Sequence, residues 1–206
     1  MFNFSLRAFV ALFVFLGVSS VSAQTKVVVI PLGDEVSLLP IIYEIGDTGP
    51  AGGKVFYITP GSGGIHGLEA ALIDQAPAPW NCDGTDVAGV DNITSADTPD
   101  SHSGAANTPL IAAACGGAAA VAADYVWPRG QTDGFLPNKE ELDLLHDQKV
   151  AGVVGSFASI VYWSSSEGGS SLAWDQGFDG GLQVGGNKKA SHSVFVLFGL
   201  FNYLTI

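Results

Sequence analysis

Leu172-Ala173-Trp174-Asp175-Gln176-Gly177-Phe178, followed by Asp179-Gly180-Gly181 and then Leu182-Gln183-Val184, is the stretch on which the fold turns. Leu172, Trp174, Gln176 and Phe178 recur at every second position, the period of a strand and not of a helix. The glycine-bearing triplet reads as a three-residue hairpin loop that pairs Phe178 with Leu182 and sets Val184 on the Trp174 face. Ala173, Asp175, Gly177 and Gln183 then form the opposite, polar face. An antiparallel hairpin of this length needs further strands and a cover for its apolar face.

The flanking sequence supplies both. Ile160 to Ser164 is aromatic and β-branched and reads as a strand, and the apolar run Val194 to Phe201 reads as a buried central strand. Upstream, Asn138 stands three residues before Glu141, the pattern of a capping box, and Leu142 with Leu145 gives one apolar stripe. A helix over Lys139 to about Gln148 follows. The alanine-rich Thr108 to Tyr125, interrupted at Gly116-Gly117, predicts two short helices meeting near Cys115. Asn81 to Gly104 is dense in Asp, Gly, Ser and Thr and reads as a long loop. Further upstream, Gly46 to Gly52 is a glycine-rich turn entering a strand at Val55 to Thr59. Lys26 to Ile30 is a short β-branched run ended by Pro31, and Leu32 to Pro40 reads as linker or edge segment. The sum is an α+β fold with short helices packed against small antiparallel sheets and long loops.

The first residues are an address. Arg7 precedes the eleven-residue apolar run Ala8 to Val18, and Val21-Ser22-Ala23 offers small residues to a signal peptidase. The expected organisation is a signal peptide over 1–23, an N-terminal strand or linker over 24–42, and one domain over 43–206. Residues 193–206 are too short for a carboxy-terminal membrane span. Export places Cys82 and Cys115 in an oxidising compartment, which favours a structural disulfide between them. Eight Lys and Arg against 20 Asp and Glu give a net charge of −12. That balance argues against nucleic acid or an anionic membrane as partner, since both reward clustered basic side chains.

Candidate chemistry is sparse. Ser164-Ser165-Ser166-Glu167 lacks a nucleophile elbow, and Glu140 and Glu141 are helix neighbours that cannot face one another. Asp83, Asp86, Asp91, Asp97 and Asp100 crowd oxygen ligands into one loop but without EF-hand spacing, and the four His residues are scattered. No metal or cofactor is expected. Carbohydrate contact is the most natural use of tryptophans beside Asp, Asn and Gln, with most of the four in the core, Trp174 among them by alternation, and at most one or two exposed.

Several motifs occur in a fixed order. They are Ile45-Gly46-Asp47-Thr48-Gly49-Pro50-Ala51-Gly52-Gly53-Lys54-Val55-Phe56-Tyr57, Gly64-Ile65-His66-Gly67-Leu68-Glu69-Ala70-Ala71 and Trp80-Asn81-Cys82. Phe135-Leu136-Pro137-Asn138-Lys139-Glu140-Glu141-Leu142, Tyr162-Trp163-Ser164-Ser165-Ser166-Glu167 and Ala173-Trp174-Asp175-Gln176-Gly177-Phe178 follow. As a set they resemble the secreted bacterial domain that forms the carboxy-terminal module of Lcl-type collagen-like adhesins, from about Tyr43 to the end. The resemblance implies a C-type-lectin-like fold, a homotrimer, a structural pair at Cys82 and Cys115, glycosaminoglycan binding in the adhesins, and no catalytic residues. Two features depart from it. Phe195 and Phe198 stand where arginines are usual, and Lys188-Lys189 is the one basic pair.

The expected function is therefore a secreted, non-enzymatic recognition domain for a neutral or cationic surface ligand such as a glycan. Its contacts are expected at Asp175, Gln183, Glu167 and Trp80. The alternative is a structural or assembly domain of the cell surface or periplasm with no small ligand.

Overall fold

Strand-period patterning over 172–177 does produce a hairpin in the computed structural model, which describes residues 29–32, 35–38, 41–64, 66–155 and 157–201. The expected signal peptide lies outside the described residues. Strand β7 (Leu172–Gly177) pairs antiparallel with β8 (Gln183–Asn187) at the edge of a five-stranded sheet. The register differs by one residue from the expected one. Gln176 stands opposite Gln183 and Asp175 opposite Val184, and Gly177 N–H donates to Leu182 O at 3.0 Å. The loop is four residues long, 178–181, not three: Gly181, at φ 77°, donates its N–H to Gly177 O at 2.7 Å, while Phe178 donates its N–H to Ile160 O at 2.9 Å and packs on Tyr162 at 4.6 Å between ring centroids. A one-residue shift exchanges the faces of a strand. Gln183 therefore shares a face with Gln176, and Asp175 shares the other with Val184, so the single polar face expected for Asp175 and Gln183 does not exist.

The sheet runs β5 (Gln75–Pro79), β9 (Ser191–Val194), β6 (Val161–Gly169), β7, β8. Its contact between β6 and β9 is parallel and the others are antiparallel. A second sheet runs β10 (Leu197–Phe201), β4 (His66–Ala70), β3 (Lys54–Ile58). A separate hairpin joins β1 (Val29–Leu32) to β2 (Glu35–Leu38), so Pro31 lies within a strand and does not end one. The apolar run 194–201 is thus not one central strand. It leaves the larger sheet after Val194 and enters the smaller at Leu197, where it is an edge. Its near-continuous hydrophobicity has a different origin. Phe195 packs on Phe157 in one apolar cluster and Val196 belongs to the other, so the crossing is buried on all sides.

The helices match their sequence signals closely. In α3 (Lys139–Val150) the Asn138 side chain accepts from Glu141 N–H at 2.8 Å and the Glu141 carboxylate accepts from Asn138 N–H at 2.9 Å, with Leu142 and Leu145 fully buried. α1 (Gly104–Cys115) and α2 (Gly117–Ala123) meet at the expected glycines. α1 begins four residues early because Ser103 caps it, accepting from Ala106 N–H at 3.3 Å. Cys82 and Cys115 form the disulfide, with 5.5 Å between Cα atoms.

The turn over 46–53 is built around a carboxylate. Glu69, fully buried on β4, accepts from Ala51 and Gly53 N–H at 2.8 and 2.9 Å. A Cβ at Gly49 would collide with that carboxylate, and one at Gly53 would strike Ala70 O and lie 2.7 Å from the Trp127 ring. All four tryptophans are buried, none being more than 8% exposed, so Trp174 is core as its alternation predicts and Trp80, expected at a ligand, is core as well. Trp80, Trp163 and Trp174 each donate the indole N–H to a backbone carbonyl, of Ser164, Ala78 and Ile93 respectively. Among the described residues no helix is long and apolar enough to cross a membrane.

Candidate functional site

The four residues expected to contact a ligand do not converge on one surface. Glu167 and Trp80 are fully buried and belong to an internal anchor. The Lys188 ammonium, itself fully buried, pairs with the Glu167 carboxylate, donates to Thr85 O at 3.0 Å and lies 4.7 Å from the Trp80 ring centroid. Glu167 also accepts from Val87 N–H at 3.0 Å, and its own carbonyl accepts from Ile93 N–H at 2.6 Å. Burial pushes the Glu167 carboxyl up, against the Lys188 and Val87 hydrogen bonds that hold it down. This group pins the long loop 81–103 to β6. Removing one partner of such a pair leaves an uncompensated interior charge at a cost of about 3–5 kcal/mol, a structural role that leaves neither side chain open to solvent.

Asp175 and Gln183 are also committed. Gln183, half-buried, donates to Lys139 O at 2.6 Å and to Gln176 Oε1 at 3.3 Å, tying β8 to the start of α3. Asp175, 5% exposed, faces His192 Nε2 at 3.3 Å, and the imidazole lies 4.3 Å from Trp163 between centroids. Burial pushes Asp175 up to about 6 and pushes His192 down. The alternation puts Asp175 on an exposed polar face of the hairpin; in the structure it is buried, because both faces of β7 are covered.

The accessible chemistry lies elsewhere. A cleft of about 570 Å³ opens where β3, β4 and β10 meet the first turns of α1 and α3. Thr59, Ser103 and Thr132 bring hydroxyls to it, the Thr108 hydroxyl being taken up by Gly104 O and Leu136 N–H; His66, Asp133 and Glu141 bring ionisable groups, Leu68, Pro109 and Phe135 give apolar walls, and neither Lys nor Arg lines it. Asp133 and His66 are exposed. Glu141 is the group that joins the elements. Its Oε2 accepts from Asn138 N–H and, at 3.1 Å, from Gly104 N–H, so one carboxylate closes the first turns of α3 and α1 together. Burial pushes its carboxyl up to about 7; those two N–H groups pull against the shift and the Asp100 and Glu140 carboxylates add to it. Glu141 therefore keeps its proton to higher pH than a free carboxyl does. The sequence signal for this site was the capping box itself, read for the helix and not for the cleft it borders. His66 stood in plain view in Gly64-Ile65-His66-Gly67, but nothing local ties it to Asp133.

A second group of ligand-type side chains gathers at the end of the long loop. One ligand atom each from Asp91, Asp100 and His102 lie within 4.8 Å of one another, and His102 Nδ1 is 3.3 Å from Asp91 Oδ2. Asp100 is held by three donors: Asn107 Nδ2 at 3.0 Å, Ser166 Oγ at 2.7 Å and His102 N–H at 2.9 Å. Ser101 Oγ also donates to Asp91. The sequence had the aspartates but kept His102 apart from them, since their grouping depends on where the loop is pinned.

A scan of family models finds no match to this chain, and a search of curated proteins finds no relative.

Proposed function

We propose that this chain is a secreted, non-enzymatic recognition domain whose ligand is neutral or cationic and rich in hydroxyl or amino groups, such as a glycan or other cell-surface molecule. The observation that carries this reading is the cleft between β4, α1 and α3: hydroxyls, Asp133 and Glu141 line it and no Lys or Arg does. Leu68, Pro109 and Phe135 give the cleft apolar walls that can face the apolar side of a sugar ring, and the exposed Asp133 carboxylate favours hydroxyl and amino groups over sulfates and phosphates. The net charge of −12 acts in the same sense. The Lcl-type, C-type-lectin-like assignment draws support from the ordered motifs, the α+β architecture with small sheets and long loops, and the Cys82–Cys115 bridge. That bridge also fits export to an oxidising compartment.

The test is a glycan array together with a panel of amino sugars and polyamines, read for the full chain and for Asp133→Ala. Asp133 is exposed, so its loss leaves the fold in place. Binding that weakens at least fivefold in the variant supports the cleft, and equal binding by both proteins removes it. A second reading, an assembly domain without a small ligand, rests on Leu182 and Val184, 70% and 44% exposed on and beside the edge strand β8. A trimer by light scattering with a blank array would favour that reading.

A further inference from the structure

We propose that Asp91, Asp100 and His102 form a binding site for a divalent transition-metal ion of the Zn²⁺ class. Two carboxylate oxygens and one imidazole nitrogen within 4.8 Å need to close only slightly to reach the roughly 3.4 Å spacing of ligands on a tetrahedral ion. Asp91 and His102 are close to half-exposed, at 46% and 41% of their side chains, and can make that adjustment. The mixed donor set selects the metal. Imidazole suits Zn²⁺ and its neighbours, whereas Ca²⁺ takes six to eight oxygens in general.

An independent observation points the same way. Asn107, fully buried, turns its carboxamide onto Asp100, yet its Oδ1 has no hydrogen-bond partner. Ser165 Oγ, on the residue whose carbonyl takes the same Asn107 amide at 3.4 Å, is also without one. So is Glu140 Oε2, while Oε1 of that carboxylate accepts from Asp100 N–H at 3.3 Å and from Lys139 at 2.7 Å. A buried oxygen left without a donor is costly, and a bound cation can satisfy it. Of these oxygens, Asn107 Oδ1 belongs to the carboxamide that holds Asp100, so a buried acceptor without a donor stands next to the cluster; the Glu140 charge is already met by Lys139, and that of Asp91 and Asp100 by neutral donors and His102 alone.

The ligands are also preoriented. Asn107, Ser166 and the His102 N–H fix the Asp100 carboxylate, and Asn138 Nδ2 holds His102 O at 2.9 Å. Hydrogen bonds behind the ligands typically govern affinity by 10- to 100-fold. A bound ion would clamp the distal end of loop 81–103, as the Glu167–Lys188 pair clamps its proximal end.

The experiment is isothermal titration of the EDTA-dialysed full chain with ZnCl₂, with CaCl₂ in a parallel arm, and with Asp91→Ala and His102→Ala. Far-UV circular dichroism checks that both variants keep the fold. One saturable Zn²⁺ site, at least tenfold weakened in each variant and not displaced by millimolar Ca²⁺, is the expected result. Absence of saturable binding, retention of affinity in either variant, or tighter binding of Ca²⁺ than of Zn²⁺ overturns the proposal.

Discussion

Glu141 shows how much one side chain can do in this protein. Its carboxylate completes the capping box of α3, receives the first N–H of α1 and borders the cleft, and burial is what raises its pKa to about 7 from the ordinary 4.5. Between those values the folded protein holds a proton that the unfolded chain has released. The stability from this group is complete below about pH 4.5 and is lost as pH rises through 7. Asp175, raised by burial to about 6 from 3.8, contributes with the same sign over a lower window. Urea midpoints should therefore fall between pH 5 and pH 8. Glu141→Gln keeps an acceptor for the Asn138 N–H but cannot ionise, and should flatten the upper part of the profile. A midpoint that climbs with pH, or a slope unaltered in the variant, contradicts this account. Glu140 Oε1 accepts from Asp100 N–H whereas Glu141 Oε2 accepts from Asn138 and Gly104 N–H, so these helix neighbours are not a facing pair. What adjacency on the helix hid is that the two look into different surroundings.

At the scale of elements, local signals were legible where local bonds decide the outcome. The capping box at Asn138 and the break at Gly116-Gly117 depend on neighbours within four residues, and both stand as read. The turn over 46–53 was legible as a turn but not in its reason, which is the Glu69 carboxylate sixteen to eighteen residues away. That reason gives a sharp expectation. Gly53→Ala forces a methyl against Ala70 O and the Trp127 ring and should cost about 1–3 kcal/mol or more. Gly155→Ala, where no atom lies within 4 Å of the new methyl, should stay within about 0.5 kcal/mol. Thermal melts of the two variants side by side test this, and an undisturbed Gly53→Ala melt would remove the steric explanation. The hairpin β7–β8 shows the limit of patterning. Alternation located the strands, but Phe178 is held by Ile160 O and the Tyr162 ring on the β6 side, and the loop closes one residue earlier, at Gly177 and Leu182.

At the scale of the whole molecule, the long loop 81–103 is the least regular part and the most firmly tied. The disulfide holds it at Cys82, the Lys188–Glu167 pair at Val87 and Thr85, and Trp174 at Ile93. Cys82 and Cys115 are 33 residues apart, and on the chain-entropy argument their bond stabilises by roughly 3–4 kcal/mol. Replacing both with Ser should lower the urea midpoint accordingly. The native, unreduced protein should take up no maleimide, and labelling of both thiols would refute the bridge. From the amino-acid sequence alone came the α+β class, the pairing of the two cysteines, three helices with the capping box of α3 and the break at Gly116-Gly117, and the net charge of −12. These follow from periodicity, composition and short-range chemistry, which are properties of neighbouring residues. Only the tertiary structure decided that 194–201 crosses between two sheets, that Trp80 and Glu167 are interior, that Asp175 and Gln183 face opposite ways, and that His102 joins Asp91 and Asp100. Each of those depends on contacts between segments tens of residues apart, where packing and charge pairing outweigh local preference and the periodic signal carries no information.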